Sequence, residues 1–318
     1  MPQTHKAAVI PQKGNPLTII ERTTPTPGLN EVLIQIKAIA VNPVDYYMRD
    51  FGVMIPSYPA LIGNDAAGII VQLGDRVTAF KEGDRVLGFI SGFYHNSSLD
   101  HGAFQEFALA AVEGLAHLPD EMSFEHGCIL PLATLTALSS WTSLGIPLTT
   151  KFSPCDNQAV LIWGGASSVG SIAIQFAKMM GYTVYTTART HNHAYIESLG
   201  ADAVFDYTSG SVVEQIALRA KTDGVALNVA HCVVSDSLQP TLDVMKLVNG
   251  SGKGVKVSHA PVLPAIHPIL EGVEVVFTSP PAEKGARDEH IRMCFHEYLK
   301  QGLESGAVVP SPRVRVVE

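Results

Sequence analysis

Between Val160 and Phe277 the chain alternates short apolar runs with longer stretches whose apolar residues recur at helical spacing. The apolar runs are strand-sized: Val160–Trp163, Thr183–Thr187, Ala203–Asp206, Val225–Val229, Val255–Ser258 and Val273–Phe277. Stretches such as Ser211–Ala220 and Ser237–Val248 carry the pattern of helices packed on one face. Strand and helix in regular alternation predict an α/β fold with a doubly wound parallel sheet. The chain before Pro119 reads differently. Val32–Ala40, Ala66–Leu73, Arg85–Leu87 and Phe104–Leu109 are short strand candidates bounded by Gly, Pro, Asn and Asp. That punctuation predicts an antiparallel, barrel-like β domain. Gly74-Asp75-Arg76-Val77 recurs as Gly83-Asp84-Arg85-Val86, which makes two turn-to-strand entries and not a solenoid repeat.

The divide between these regions is expected at Pro119–Phe124, with a helix over Gly127–Leu138 joining them. The expected organisation is residues 1–124 as a catalytic β domain, 125–279 as a dinucleotide-binding domain, and 280–318 as a segment returning to the first domain. That last segment carries an amphipathic helix with Ile291, Phe295, Leu299 and Leu303, then Val314-Arg315-Val316-Val317.

Composition narrows the classes. At 318 residues, 46% hydrophobic and 16% charged, the chain is globular and large enough for two domains. A net charge of −8 argues against nucleic acid or an anionic membrane as partner. No run of ~18 apolar residues predicts a membrane span. Met1-Pro2-Gln3-Thr4-His5-Lys6 leads straight into a strand-like segment without an apolar leader. Cys128, Cys155, Cys232 and Cys294 have neither metal-ligand nor redox-motif spacing, as expected of reduced thiols in a cytoplasmic protein.

The chemistry is concentrated after Ala159-Val160-Leu161-Ile162-Trp163. This strand runs into Gly164-Gly165-Ala166-Ser167-Ser168-Val169-Gly170, and a helix leaves the turn. Such a turn lets backbone approach a pyrophosphate and offers helix-start N–H groups to its charge. Serines stand where a full G-x-G-x-x-G has its middle glycine, so a plain tight connection is the alternative. Gly164, Gly165, Ser167, Ser168, Val169 and Gly170 are the candidate pyrophosphate contacts. An NAD site usually carries an acid at the end of the second strand, roughly 20 residues on. No acid lies between Asp156 and Glu197; Arg189 and His191 stand at that strand end instead. A guanidinium there suits a 2′-phosphate, so NADPH is the expected cofactor; a solvated loop charge is the alternative.

Three segments resemble the medium-chain dehydrogenase/reductase superfamily, over essentially the whole chain. Asn42-Pro43-Val44-Asp45-Tyr46-Tyr47-Met48-Arg49 is similar to the quinone-reductase segment N-x-x-D-x-Y-x-R. The stretch from Gly74 to Phe89 is similar to the superfamily's GroES-like barrel signature. The turn from Trp163 to Gly170 resembles the serine-rich cofactor loop of fungal trans-acting enoyl reductases. The nearest subgroup by these motifs is the zinc-independent quinone oxidoreductases and fungal enoyl reductases. The resemblance implies Thr136 beside the nicotinamide and Tyr207 near the adenosine 2′-phosphate, where a helix cap and a core-edge tyrosine are the alternatives. It implies a closing helix and strand beyond Glu318, so a shortened chain is an open expectation. Zinc-dependent relatives place Cys and Gly-His-Glu where this chain has Asn42 and Gly63-Asn64-Asp65, so no catalytic metal is expected. His95, Asp100 and His101 are loop residues able to meet an ion, though solvated histidines are the ordinary case.

Without a metal, an enolate left by hydride addition must be stabilised by hydrogen bonding. Tyr47 is the candidate donor and Asn42 the candidate holder of a carbonyl or the nicotinamide ribose. The alternatives are a packed barrel tyrosine and a turn cap. Fungal enoyl reductases often carry Lys at the place of Tyr47. The implied function is an NADPH-dependent, zinc-independent reductase of an activated C=C bond, with a carrier protein or polyketide synthase as a possible partner. Quinone or small-enone reduction is the runner-up. A non-redox NADPH-binding protein or a cyclase on the same fold remains as another class. Monomer and homodimer both stay open.

Overall fold

The computed structural model describes residues 3–250, 254–263 and 266–317. The chain divides into two compact units. The first runs β1 (Thr4–Ile10), β2 (Thr18–Thr23), β3 (Glu31–Ala40), α1 (Pro43–Phe51), β4 (Ala60–Leu61), β5 (Asp65–Leu73), β6 (Arg85–Phe89), β7 (Phe107–Ala111), β8 (Leu115–His117) and α2 (Phe124–Gly127). Its strands form two antiparallel sheets, ordered β2-β1-β4 and β7-β3-β5-β6-β8. Val32, Ile34, Ile70, Val86 and Leu115 are all but fully buried and form the larger sheet's core. Of the expected Met1–Lys6 entry, Thr4 onward is strand; Met1 and Pro2 lie outside the described residues.

After α3 (Pro131–Ser143), the second unit runs β9 (Gln158–Trp163), α4 (Ser168–Met179), β10 (Thr183–Thr187), α5 (His193–Ser198), β11 (Ala203–Phe205), α6 (Val212–Asp223), β12 (Ala226–Cys232), α7 (Leu238–Asn249), β13 (Val255–His259) and β14 (Val273–Phe277). The six strands are parallel, in the order β11-β10-β9-β12-β13-β14. Ala159 to Trp163 are buried in succession, the uninterrupted apolar run of a central strand covered on both faces. β9 leads on to its neighbour β10 and β12 to its neighbour β13, so the chain leaves the adjacent ends of β9 and β12 in opposite directions, the point at which a doubly wound sheet opens its crevice.

The α/β reading, with a parallel sheet in one unit and antiparallel sheets in the other, matches this architecture. Three details differ. The strand expected at Phe104–Leu109 begins only at Phe107. The preceding residues bond elsewhere: the Ala103 N–H donates to the Gly63 carbonyl and that of Phe104 to the Ile62 carbonyl. The helix expected over Gly127–Leu138 is broken. Ser123 Oγ caps α2 by accepting from the His126 N–H, and Pro131, with no N–H to give backward, opens α3 as a new helix. The C-terminal helix is continuous but changes pitch: α8 (Lys284–Arg292), a π-helical stretch Met293–Leu299, then α9 (Lys300–Ser305). Ile291, Phe295 and Leu299 recur every fourth residue, which over-runs a 3.6-residue turn; the wider π turn keeps all three buried.

The units also differ from the expected bounds of 1–124, 125–279 and 280–318. The first comprises 1–132, 288–304 and 313–318; the second, 133–287 and 305–312. Residues up to 132 stay with the β unit because the Leu132 N–H donates to Asp65 and Gly127 packs closely on Leu118. Residues 305–312 go with the second unit because Gln175 bonds Val309 and Ser311. No described helix is long and apolar enough to cross a membrane. All four cysteines are free thiols.

Candidate functional site

Two clusters carry the chemistry, one in each unit. In the second unit, the turn after β9 is held to the end of β10. The Gly164 N–H donates to Thr187 Oγ1 at 3.0 Å and the Gly165 N–H to the Thr187 carbonyl at 2.9 Å. Gly164 takes φ +106°, which favours glycine. Ser167 is the N-cap of α4: its Oγ accepts from the Gly170 N–H at 3.1 Å and donates to the Gly164 carbonyl at 2.7 Å. A Cβ on Gly170 would overlap the Gly164 carbonyl oxygen, and one on Gly165 would overlap Thr186 Oγ1. These glycines are therefore demanded by the turn's own packing, before any ligand approaches. The Ser167 hydroxyl, expected to face a ligand, is spent on the cap. Ser168 and Val169 occupy the first turn of α4, where N–H groups lack intrahelical acceptors and point at incoming charge.

A cleft of about 620 Å³ opens beside this turn, lined by Gly164, Ser167, Thr187, Tyr207, Val234 and Asp236 among others. A second hollow of about 330 Å³ shares Ser235 and Asp236 with it and carries His259 and His267. At the rim, Arg189 Nε donates to Tyr207 Oη at 2.9 Å, and the guanidinium lies 5.9 Å from that ring's centroid. Both residues are exposed. Of the expected cofactor residues, Gly164, Ser167 and Tyr207 line the cleft. Gly165, Ser168, Val169 and Gly170 belong to its turn, and Arg189 reaches it through Tyr207. His191 sits exposed on the short turn Thr190–Asn192, outside the lining. Thr136 is half-buried within α3, well past the helix start, so it is no cap; it too lies outside the lining.

Two residues of this unit escaped the sequence reading. Asp206, just after β11, accepts from Thr190 N–H and Oγ1 on one oxygen and from Thr208 N–H and Oγ1 on the other. These donors hold its carboxyl well below the usual carboxylate range. An acid thus does stand near the end of β10, supplied by the neighbouring strand, but its lone pairs are taken. His259 ends β13; its Nδ1–H donates to the Pro261 carbonyl at 2.7 Å, and burial lowers its pKa, keeping it neutral. Its position at a strand's C-terminal end was the available signal.

In the first unit, Asn42 closes the loop after β3 and is the N-cap of α1. Its N–H donates to Asp45 Oδ2 at 2.8 Å, and its Nδ2 to Asp65 Oδ2 at 2.8 Å. Asn64 Nδ2 donates to Asp45 Oδ1 at 3.0 Å, and the Leu132 N–H to Asp65 Oδ1 at 2.6 Å. Asp45, Asn64 and Asp65 are buried. Burial pushes Asp45 up to about 6 and Asp65 up to about 7, against the opposing pull of these donors. Burial thus favours the neutral acid form of both carboxyls.

The donor set does not fit a catalytic zinc. Both amides turn their NH₂ groups to carboxylates, and neither a thiolate nor an imidazole belongs to the cluster. Cys128, which feels the Asp65 charge, is pushed up to about 12, chiefly by burial. Tyr47 stands on the outer face of α1, 41% exposed, its ring 5.4 Å from Tyr46 and 6.1 Å from Phe51. At that exposure it is not a packed barrel residue. Asn42 and Tyr47 share one helix but face different surroundings, one a buried acid pair and the other an exposed aromatic group.

Comparison with known proteins follows the same division. Residues 28–120 match the family described as Alcohol dehydrogenase GroES-like domain, and residues 168–250 the family described as Zinc-binding dehydrogenase. The chain is 50% identical over 318 residues to a trans-enoyl reductase, tndF, of Aspergillus flavipes, covering 99% of this chain and 92% of that protein. It is 52% identical over 291 residues to a trans-enoyl reductase, tazE, of Aspergillus terreus, covering 90% and 96% respectively. Among solved structures, a mycobacterial protein, Rv1454c, complexed with NADPH superposes with a TM-score of 0.71 at 25% identity, over 96% of this chain and 90% of that one.

Proposed function

Because the chain belongs to the medium-chain dehydrogenase/reductase superfamily, in its enoyl reductase-like subgroup, we propose that it is an NADPH-dependent reductase of α,β-unsaturated carbonyl compounds. The observation that carries the cofactor choice is the Arg189–Tyr207 pair at the rim of the glycine-turn cleft, beside an Asp206 whose oxygens are already saturated. A carboxylate so occupied has little capacity left for a ribose diol, whereas the guanidinium spends one of five donors on Tyr207. When bound, the cofactor supplies a hydride to the electrophilic β-carbon.

The residues then divide the work. The start of α4, with Ser168 and Val169, holds the pyrophosphate charge on backbone N–H groups. Arg189, Tyr207 and His191 hold the 2′-phosphate. Thr136 and the neutral His259 orient the nicotinamide end. Tyr47 donates its phenolic proton toward the developing enolate, and Asn42 holds the carbonyl with its amide, backed by Asp65. The protein acts in the cytoplasm, on a substrate tethered to a carrier protein of a polyketide synthase.

Quinone or small-enone reduction is the second reading, favoured by Tyr47 in its Asn42–Arg49 segment. NADPH oxidation measured side by side against enoyl thioesters, enones and quinones decides between them. Turnover fastest on the enoyl thioester supports the first reading. Turnover confined to quinones replaces it with the second.

A further inference from the structure

The Arg189–Tyr207 pair is itself held from behind. β10 and β11 pair in parallel as far as Thr187 and Phe205, and the Ala188 N–H still donates to the Phe205 carbonyl at 3.0 Å. Beyond that bond the chain leaves both strands as loops, and side chains join them. Asp206 begins the second loop. One of its carboxylate oxygens accepts from the first loop, from the Thr190 N–H at 3.2 Å and from Thr190 Oγ1. The other accepts from its own loop, from the Thr208 N–H at 2.9 Å and from Thr208 Oγ1 at 2.7 Å. The Asp206 carbonyl accepts from the Ser209 N–H at 3.0 Å, which closes the turn that carries Tyr207. Arg189 directly precedes one clamped threonine, and Tyr207 lies between Asp206 and the other. Four donors on one half-buried carboxylate therefore fix the spacing of two loops that present the exposed Arg189 and Tyr207 at the cleft.

We propose that Asp206 is a positioning residue for cofactor choice: by tying the loop after β10 to the loop after β11, it sets the Arg189 guanidinium where a 2′-phosphate is captured. The proposal rests on the assignment of NADPH as cofactor. A loose arginine loses side-chain and loop freedom when it captures a phosphate, and a loop already tied loses less. The charge of Asp206 works the other way. Its donors hold the carboxyl well below the usual carboxylate range, so it is ionised, and Arg189 feels its field. An anion beside a phosphate site repels the phosphate. The three roles open to Asp206 thus differ in sign. As a bare charge it weakens NADPH binding; as a clamp it strengthens NADPH binding; as an acceptor for a ribose diol it strengthens NADH binding.

Asp206→Asn separates them, because it keeps the shape and removes the charge. The amide oxygen still accepts from one threonine, but the NH₂ group faces the N–H of the other, donor to donor. The test measures dissociation constants of NADPH, NADH and adenosine 2′,5′-bisphosphate by calorimetry. It uses the full-length wild type, Asp206→Asn, Arg189→Ala and the double variant. Asp206→Asn should bind NADPH and the bisphosphate about 5-fold or more weakly, with NADH unchanged. In the Arg189→Ala background the same substitution should not weaken NADPH further, because Asp206 acts through Arg189. Thr190→Val keeps the Asp206 charge and removes one clamp donor. It should shift NADPH the same way by a smaller factor, and it serves in place of Asp206→Asn if that variant misfolds. NADPH affinity unchanged or raised in the folded variant, a loss confined to NADH, or an equal loss with and without Arg189 overturns the clamp. Equal NADPH and NADH constants in the wild type overturn the cofactor assignment itself, and the clamp with it.

Discussion

The two clusters are built by opposite means. The cleft of the second unit is made of backbone: a turn whose glycines leave no room for a Cβ, a capped helix start, and an exposed cation at its rim. The cluster of the first unit is made of side chains: two amides and two buried carboxylates from Asn42, Asp45, Asn64 and Asp65. A backbone site binds what any member of its fold binds and tolerates little change in shape. A side-chain site can be reassigned by substitution, as the amides at positions 42 and 64 illustrate. On the proposed function, holding a dinucleotide falls to the second unit and polarising a substrate to the first.

The sharpest break between them is expected at Tyr47. Tyr47→Phe should lower kcat about 100-fold, the loss typical of a positioned proton or oxyanion donor, while NADPH affinity stays unchanged. Steady-state kinetics beside a cofactor titration checks this. An unchanged kcat would make Tyr47 a surface tyrosine and move the donor role elsewhere.

The backbone site should fail by shape. Gly170→Ala places a methyl against the Gly164 carbonyl, which cannot swing aside like a flexible side chain. Overpacking of this kind costs about 1–3 kcal/mol. Urea unfolding should show that loss, and NADPH affinity should fall with it. Gly210→Ala, where a methyl meets nothing within 4 Å, is the control and should leave both unchanged.

The side-chain site should respond to pH. Asp45 and Asp65 are raised from 3.8 to about 6 and about 7, so between pH 4 and 7 the folded protein binds more protons than the unfolded chain. Stability from these groups is therefore greatest at the acid end and falls as pH rises through that window. Each carboxyl that is protonated only in the folded state contributes a slope of about 1.4 kcal/mol per pH unit. Asp65→Asn should flatten the slope. Denaturant midpoints of both proteins at several pH values test it; parallel curves would mean Asp65 is not raised. The smallest effect expected is none: exhaustive chelation should leave turnover intact, because the Asn42–Asp65 cluster does not suit a catalytic zinc.

The same contrast explains what the sequence revealed. All six parallel strands were legible as short apolar or β-branched runs ended by glycine or polar turns, most plainly β9, a buried central strand that is apolar from Ala159 to Trp163. The turn from Gly164 to Gly170 was equally legible, since its constraints are local. Asp206 was not. It meets Thr190 only through the register of β10 and β11, and scanning the end of β10 alone could not find it. The pairing of Asn42 with Asp65, twenty-three positions apart, depends on β5 lying against β3. Pro131 was visible as a helix breaker, but the apolar run around it read as one helix.

The central claim is that this cleft selects a 2′-phosphorylated cofactor, and the dissociation constants of NADPH and NADH measure it directly. The charge-assisted contacts of Arg189, about 1.5–3 kcal/mol in all, should make NADPH bind about 10- to 100-fold more tightly, with Arg189→Ala removing most of the difference. Equal constants for the two cofactors in the wild-type protein would contradict the account.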